Sequence, residues 1–189
     1  MPQVSLQYVQ KDIPIFTTVL DGYKELNSKL LRGVHKWRQD NPEGLDDPLL
    51  SAWRSDWLTH KKTDVFDELI RIMETACSSF SQNYYQKPVN YITYNFWIAQ
   101  YESGDKIDNH NHFPSDFSCV YYIDIDEDAA PLIIEDKLEI PVKEGLLVMF
   151  PSTITHSVPS TTGKRTCVSA NFMKQASMNT PTHNQFAKP

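Results

Sequence analysis

Residues 104–124 read GDKIDNHNHFPSDFSCVYYID, placing two histidines two positions apart, His110 and His112, just ahead of the run FSCVYYI. On an extended strand the side chains at i and i+2 leave the same face, so His110 and His112 project together and Asn111 turns away. A surface hairpin tolerates such a pair. A metal site uses it only when a third ligand arrives from elsewhere. The metal reading therefore needs a fold that returns a distant strand to the side of residues 107–112.

The rest of the chain supplies candidate strands. VNYITYNFWIAQY at 89–101 is β-branched and aromatic, and short strand candidates recur at 107–112, 117–123, 131–134, 138–141, 146–150, 154–158 and 165–172. Turn signals separate them: ESGD, DIDEDAAP, EDK, KEG, PST and STTGK. Residues 3–18 alternate loosely and predict a further strand. Upstream of 89 the apolar period changes. Tyr23, Leu26, Leu30, Val34 and Trp37 form one helical stripe behind Asp21 as a cap. QDNPEGLDDP interrupts it, and a linker holding SAWRSDW at 51–57 follows. Phe66, Leu69, Ile70, Met73, Cys77 and Phe80 form a second stripe with Thr63 as cap. Tyr84 and Tyr85 fall beyond its end, before Pro88.

Two helices ahead of about eight strands predict a mostly β chain with supporting helices, a sandwich or barrel with helices on one face. The organisation expected is one domain over 1–175, with helical support at 20–82, core strands at 89–173 and a loose polar tail at 176–189.

The third ligand has few candidates among six histidines. His35 and His60 lie in the helical half and His183 in the tail, whereas His156 sits in a later strand candidate within LLVMFPSTITHSVPS. In a double-stranded β-helix two such strands become neighbours. A pair at i, i+2 plus one late histidine is the ligand spacing of a mononuclear non-haem iron site. A lone strand histidine is more often structural, so the rest of the pattern has to carry the argument. Arg165 opens RTCVSANF, and alternation puts Arg165, Cys167, Ser169 and Asn171 on one face. A guanidinium inside a barrel needs an anion. An organic diacid meets that need, with one carboxylate forked by Arg165 and helped by Ser169 and its other end on the metal.

Composition narrows the classes. A net charge of −6 with scattered Lys and Arg offers no footprint for a phosphate backbone, so nucleic acid is not an expected partner. No apolar run reaches the roughly 20 residues of a membrane span, and the start MPQVSLQYVQKDIP lacks a secretory pattern. The three cysteines, Cys77, Cys119 and Cys167, imply no zinc knuckle and no disulfide framework, and a cytoplasmic location with reduced, buried thiols is expected.

The second half of the chain resembles the 2-oxoglutarate and Fe(II)-dependent oxygenases. More closely, it is similar to a small family of 2-oxoglutarate/iron oxygenases of marine bacteria and their phages. The resemblance is carried by SAWRSDW at 51–57, GDKIDNHNHFPSDFSCVYYID at 104–124, GLLVMFPSTITHSVPS at 145–160 and GKRTCVSANF at 163–172, and it covers roughly residues 10–173. It implies a double-stranded β-helix (jelly-roll, cupin-like) core, with Fe(II), 2-oxoglutarate and O2 used to hydroxylate a small metabolite or an amino-acid side chain. His110 resembles the first iron ligand, His156 the distal ligand, and Arg165 the arginine that grips the far carboxylate of 2-oxoglutarate. QYESGDKIDNH is similar to a Tyr-x-x-Gly stretch of prolyl-hydroxylase-like members, which implies that Tyr101 or Tyr122 hydrogen-bonds the cosubstrate, alongside Ser169 and Asn171. Trp53 and Ser55 match a Trp-x-Ser element that either lines the substrate side or packs.

Two departures matter. Most members of the wider superfamily place Asp or Glu where His112 stands, and the small family shows His-x-His. A tri-histidine site lacks one negative charge; the alternative is a carboxylate supplied by Asp108 or Asp116. Cys119 replaces the Gly usual in the family. Phe117, Val120, Phe150 and Phe172 are expected to form an apolar shell, Phe150-Pro151-Ser152 the turn that delivers His156, and DIDEDAAP a loop at the pocket rim. The rival readings are a tri-histidine dioxygenase that does not use 2-oxoglutarate and a non-catalytic cupin-like module. Homodimerisation is left open.

Overall fold

The computed structural model describes residues 12–86 and 89–175. The expected strand at 3–18 therefore lies partly, and the tail at 176–189 with His183 wholly, outside the described residues. Within them, ten strands and two helices run in the order β1 (Phe16–Val19), α1 (Tyr23–Asp40), β2 (Trp53–Arg54), α2 (Asp67–Tyr85), β3 (Tyr91–Tyr101), β4 (Ile107–His110), β5 (Phe117–Ile125), β6 (Leu132–Ile134), β7 (Leu138–Ile140), β8 (Leu146–Pro151), β9 (His156–Val158) and β10 (Arg165–Lys174).

The strands form a six-stranded sheet, β1-β8-β5-β10-β3-β2, and a four-stranded sheet, β4-β9-β6-β7. All registered strand pairs are antiparallel. Two sheets facing each other, with helices outside the larger one, make the jelly-roll core expected of the chain.

The larger sheet is buried on both faces, and this explains the almost unbroken apolar run of β5. Its odd-numbered side chains Cys119, Tyr121 and Ile123 join Leu147, Met149, Val168, Ala170 and Phe172 against the helices. Its even-numbered Val120 and Tyr122 join Val148, Phe150 and Cys167 between the sheets. Leu30 and Val34 of α1 and Leu69, Met73 and Cys77 of α2 are fully buried against the first layer. Each large apolar side chain buried this way contributes about 1.5–3 kcal/mol. Asn27 is the polar fastener of that layer: its Nδ2 donates to Ile123 O at 2.7 Å and its Oδ1 accepts from Tyr121 Oη at 2.6 Å. Gly33 lets the segment that leads into α2 pack on α1, since a Cβ there would run into Val65.

Local punctuation differs from expectation. Asp21 does not cap α1; Gly22 occupies that position in a left-handed conformation without a side-chain bond. Thr63 does not cap α2 either: its Oγ1 accepts from Val65 N–H one turn earlier, and the helix starts at Asp67. The helix also runs on through Tyr84 and Tyr85. Residues 51–57 are more than a linker, because Trp53 and Arg54 add an edge strand opposite Gln100 and Ala99.

Candidate metal centre

Cross-strand register brings the first two histidines together: β4 pairs with β9, and His110 stands opposite His156. The alternation argument fails for His112, because β4 ends at His110. A turn aims His112 instead. Phe113 N–H donates to Asn111 Oδ1 at 3.2 Å, and His112 N–H donates to Ser152 O at 2.8 Å. The Ile154 N–H to Pro151 O bond at 3.0 Å closes the turn that leads to His156; it falls later than the expected Phe150-Pro151-Ser152, because Phe150 and Pro151 still belong to β8. The ring centroids lie 4.3 Å (His110–His156), 4.9 Å (His110–His112) and 5.0 Å (His112–His156) apart. One ring nitrogen from each falls within 4.8 Å of the others.

Backbone carbonyls select the tautomer of two rings. His110 Nδ1 lies 2.8 Å from Asp108 O and His156 Nδ1 lies 3.3 Å from Ile154 O, so each Nδ1–H donates and each Nε2 keeps a lone pair for a metal. Burial lowers the pKa of all three: His110 below its ordinary value, His112 to about 3 with His110 as a second cause, and His156 well below the ordinary value with both neighbours adding. Neutral imidazoles at pH 7 are what ligation requires. Three nitrogen donors in one group suit a divalent transition metal, and the group contains no carboxylate.

The acids at 108 and 116 are engaged elsewhere. Asp108 pairs with Lys106 at 2.8 Å, while Asp116 accepts from Lys174 N–H at 2.8 Å.

The triad opens onto a cavity that extends between the sheets to Arg165, Cys167, Ser169 and Asn171. Arg165 is 2% exposed and has no carboxylate partner among the described residues. Nη1 donates to Ala130 O at 2.9 Å and Nη2 to Tyr122 Oη at 3.1 Å, while Nε has no hydrogen-bond acceptor in line among the described residues. Its guanidinium carbon sits 5.2 Å from the Tyr101 ring centre and 5.0 Å from that of Tyr122. Rings and carbonyls soften the cost of a buried cation without neutralising it, so the site fits an anion brought by a ligand. Asn171 is held by Ser118, whose Oγ donates to Oδ1 at 2.7 Å.

Other predicted residues distribute unevenly. Tyr101 lines the cavity; Tyr122 is fully buried behind it and orients Arg165. Val120 and Phe150 line the cavity, whereas Phe117 and Phe172 point to the helix side, because the pleat separates them. Cys119 borders the cavity, but its side chain packs in the helix-side layer, where burial raises the thiol pKa. Trp53 packs under Arg38 and donates to Asn41 O at 3.2 Å, and Ser55 is buried in bonds to Thr59 Oγ1 and Ile98 N–H. Both are packing residues. The loop 126–131 is no rim, since its Ala130 carbonyl reaches Arg165 at the deep end, and the first residues of DIDEDAAP belong to β5.

Sequence reasoning missed Trp97, 5.4 Å from the His112 ring, and the pair Asp47–Arg54 beside His110 and His112. The inward alternation of β3 could have flagged Trp97; nothing local marks the other two.

No protein-family profile matches the chain, and no curated protein matches its sequence. Solved structures do match. A prolyl-4-hydroxylase of Pseudomonas putida superposes with a TM-score of 0.65 at 16% identity over 86% of this chain and 94% of its own. The collagen prolyl hydroxylase of Paramecium bursaria Chlorella virus-1, in complex with 2-oxoglutarate, gives 0.58 at 12% over 82% and 94%. The α-ketoglutarate-dependent carbocyclase SnoK of nogalamycin biosynthesis gives 0.67 at 11% over 85% and 79%. At such identities the likeness is one of architecture: the chain has the double-stranded β-helix fold of the 2-oxoglutarate/Fe(II) oxygenases.

Proposed function

We propose that this protein is a non-haem Fe(II) dioxygenase that couples oxidative decarboxylation of 2-oxoglutarate to hydroxylation of a second substrate. The observation that carries the reading is the pairing, in one cavity, of three clustered imidazoles with a buried arginine that has no carboxylate partner among the described residues. Fe(II) bound there would activate O2, giving one oxygen atom to a substrate C–H bond and the other to the succinate formed as CO2 leaves. His110, His112 and His156 would hold the metal on one side, leaving the other side free for cosubstrate and O2. Arg165 would fork the distal carboxylate of 2-oxoglutarate, with Ser169, Asn171 and Tyr101 lining the same cavity. Leu50, Val120 and Phe150 keep the wall near the histidines apolar and limit water. Three free, buried thiols fit a reducing compartment such as the cytoplasm.

Anaerobic Fe(II) titration with and without 2-oxoglutarate tests the reading by visible absorption. A charge-transfer band that needs both components is expected, and it disappears in Arg165→Met. The absence of a carboxylate from the triad favours one rival, a tri-histidine dioxygenase without 2-oxoglutarate. Iron binding without the band would select it, and no iron binding would leave a cupin-like binding module.

A further inference from the structure

His110 and His112 are shared by two cavities. The inner one runs to Arg165; the outer one, about 200 Å³, runs to Asp47, Arg54, Asn111, Trp57 and Trp97. The histidines thus stand at a neck, with the diacid pocket on one side and an unassigned pocket on the other.

The outer pocket is built around a fixed charge pair. Arg54 is 5% exposed, and its guanidinium stacks 4.2 Å from the Trp57 ring centre. Asp47 Oδ2 lies 3.2 Å from Arg54 Nε, so the two groups form a largely buried ion pair. Nη1 donates to Ser55 O at 3.1 Å, and Nη2 has no partner among the described residues. Asp47 Oδ1 accepts from Leu49 N–H at 3.0 Å. A guanidinium carries five donors and a carboxylate about four lone-pair sites, so both groups keep unused capacity toward the cavity. Trp57 and Trp97, with ring centres 4.6 Å apart, wall the space between this pair and His112.

We propose that this outer pocket is the substrate subsite and that its ligand is a free α-amino acid. The ammonium is taken by Asp47, the carboxylate by Arg54, and the side chain lies along the tryptophans toward the histidines. Size supports this: the volume is below the roughly 300–1,000 Å³ of drug-sized ligand sites. Charge supports it too, because a cation and an anion side by side complement a ligand whose own opposite charges are two atoms apart. The inference deepens the proposed dioxygenase reading and rests on it for the direction in which the substrate points.

The test is calorimetric titration of the full chain, loaded with Mn(II) and 2-oxoglutarate, with each common protein L-amino acid in turn. Trp57–Trp97 fluorescence serves as the second readout. At least one amino acid is expected to bind, and its N-acetyl and C-terminal amide derivatives are expected to bind about tenfold to a hundredfold more weakly. Asp47→Asn should weaken the parent ligand but not the N-acetyl derivative. Should that variant fail to fold, the derivative series on the unaltered chain still decides. Binding by none, or equal binding of parent and blocked derivatives, overturns the inference and leaves Asp47–Arg54 as a loop fastener. Failure to take up Mn(II) or 2-oxoglutarate would instead sink the dioxygenase reading, and the same titration on the apoprotein would then test the charge pair by itself.

Discussion

Replacing Arg165 by Met separates the cost of a buried cation from its use. The Arg165 guanidinium is 2% exposed and, among the described residues, has no carboxylate partner and one nitrogen without a hydrogen bond. Replacing a buried charge by an apolar side chain of similar length is neutral or stabilising by about 1–4 kcal/mol. Against this, Ala130 O and Tyr122 Oη lose their donors, at about 1–3 kcal/mol each where no water reaches them. The two effects nearly cancel, so Arg165→Met should change apoprotein stability by less than about 2 kcal/mol. Ligand response behaves differently. At a 2-oxoglutarate concentration of about 100 times its dissociation constant, binding to the native state adds about 2.7 kcal/mol. For a chain of this size that is a rise of about 5–10 °C in melting temperature. Thermal melts of Mn(II)-loaded protein with and without 2-oxoglutarate should show that rise in the parent and none in Arg165→Met, with the two apoproteins melting within a few degrees. A variant that still responds to 2-oxoglutarate, or one whose apoprotein melts more than about 10 °C lower, would refute the reasoning; the latter would make Arg165 a structural residue.

Two further predictions follow from burial. Burial holds the three imidazoles below their ordinary value in the native state, whereas in the unfolded chain they titrate at about 6.5. As pH falls below that value the unfolded state takes up protons that the native state refuses, so apoprotein stability falls, by up to about 1.4 kcal/mol per pH unit for each histidine. His60, lowered by burial as well, adds in the same sense. Unfolding free energies from urea titrations at pH of about 7.5 and about 5.5 should differ by about 1.4–4 kcal/mol, and a flat profile would contradict the burial of the triad. Asn27→Ala should destabilise the fold by about 2–5 kcal/mol, since Tyr121 Oη and Ile123 O are left unpaired under α1. A denaturant midpoint is the measure, and recovery in Asn27→Ala with Tyr121→Phe assigns the loss to the hydrogen bond rather than to packing.

Period was the readable signal in this chain. The inward set Arg165, Cys167, Ser169 and Asn171 follows from alternation along β10 alone, and all four line the cavity. The helical stripes Leu26–Leu30–Val34 and Leu69–Met73–Cys77 follow from spacing in the same way. Phe117 and Phe172 were misassigned because both faces of the larger sheet are apolar, so hydrophobicity does not say which side a residue serves. His112 reached the triad by a turn rather than by alternation. Asp47 and Arg54 gave no warning, since their proximity to the histidines comes from a loop that docks on β4 through Asp108 N–H to Leu49 O, a contact without period.

The double burial of the larger sheet bears on how such a protein could change its preferences over time. Residues on that sheet answer to two constraints at once: a bulkier side chain facing the cavity shifts a strand whose other side carries the helices. The Arg165 wall is therefore expensive to alter. The Asp47, Arg54 and Trp57 wall comes from the segment 47–57, which lies at the sheet's edge and is anchored by few ladder bonds. Selection for a new ligand would find its cheapest variation there, so among homologues the Arg165 wall should drift slowly and the 47–57 segment quickly.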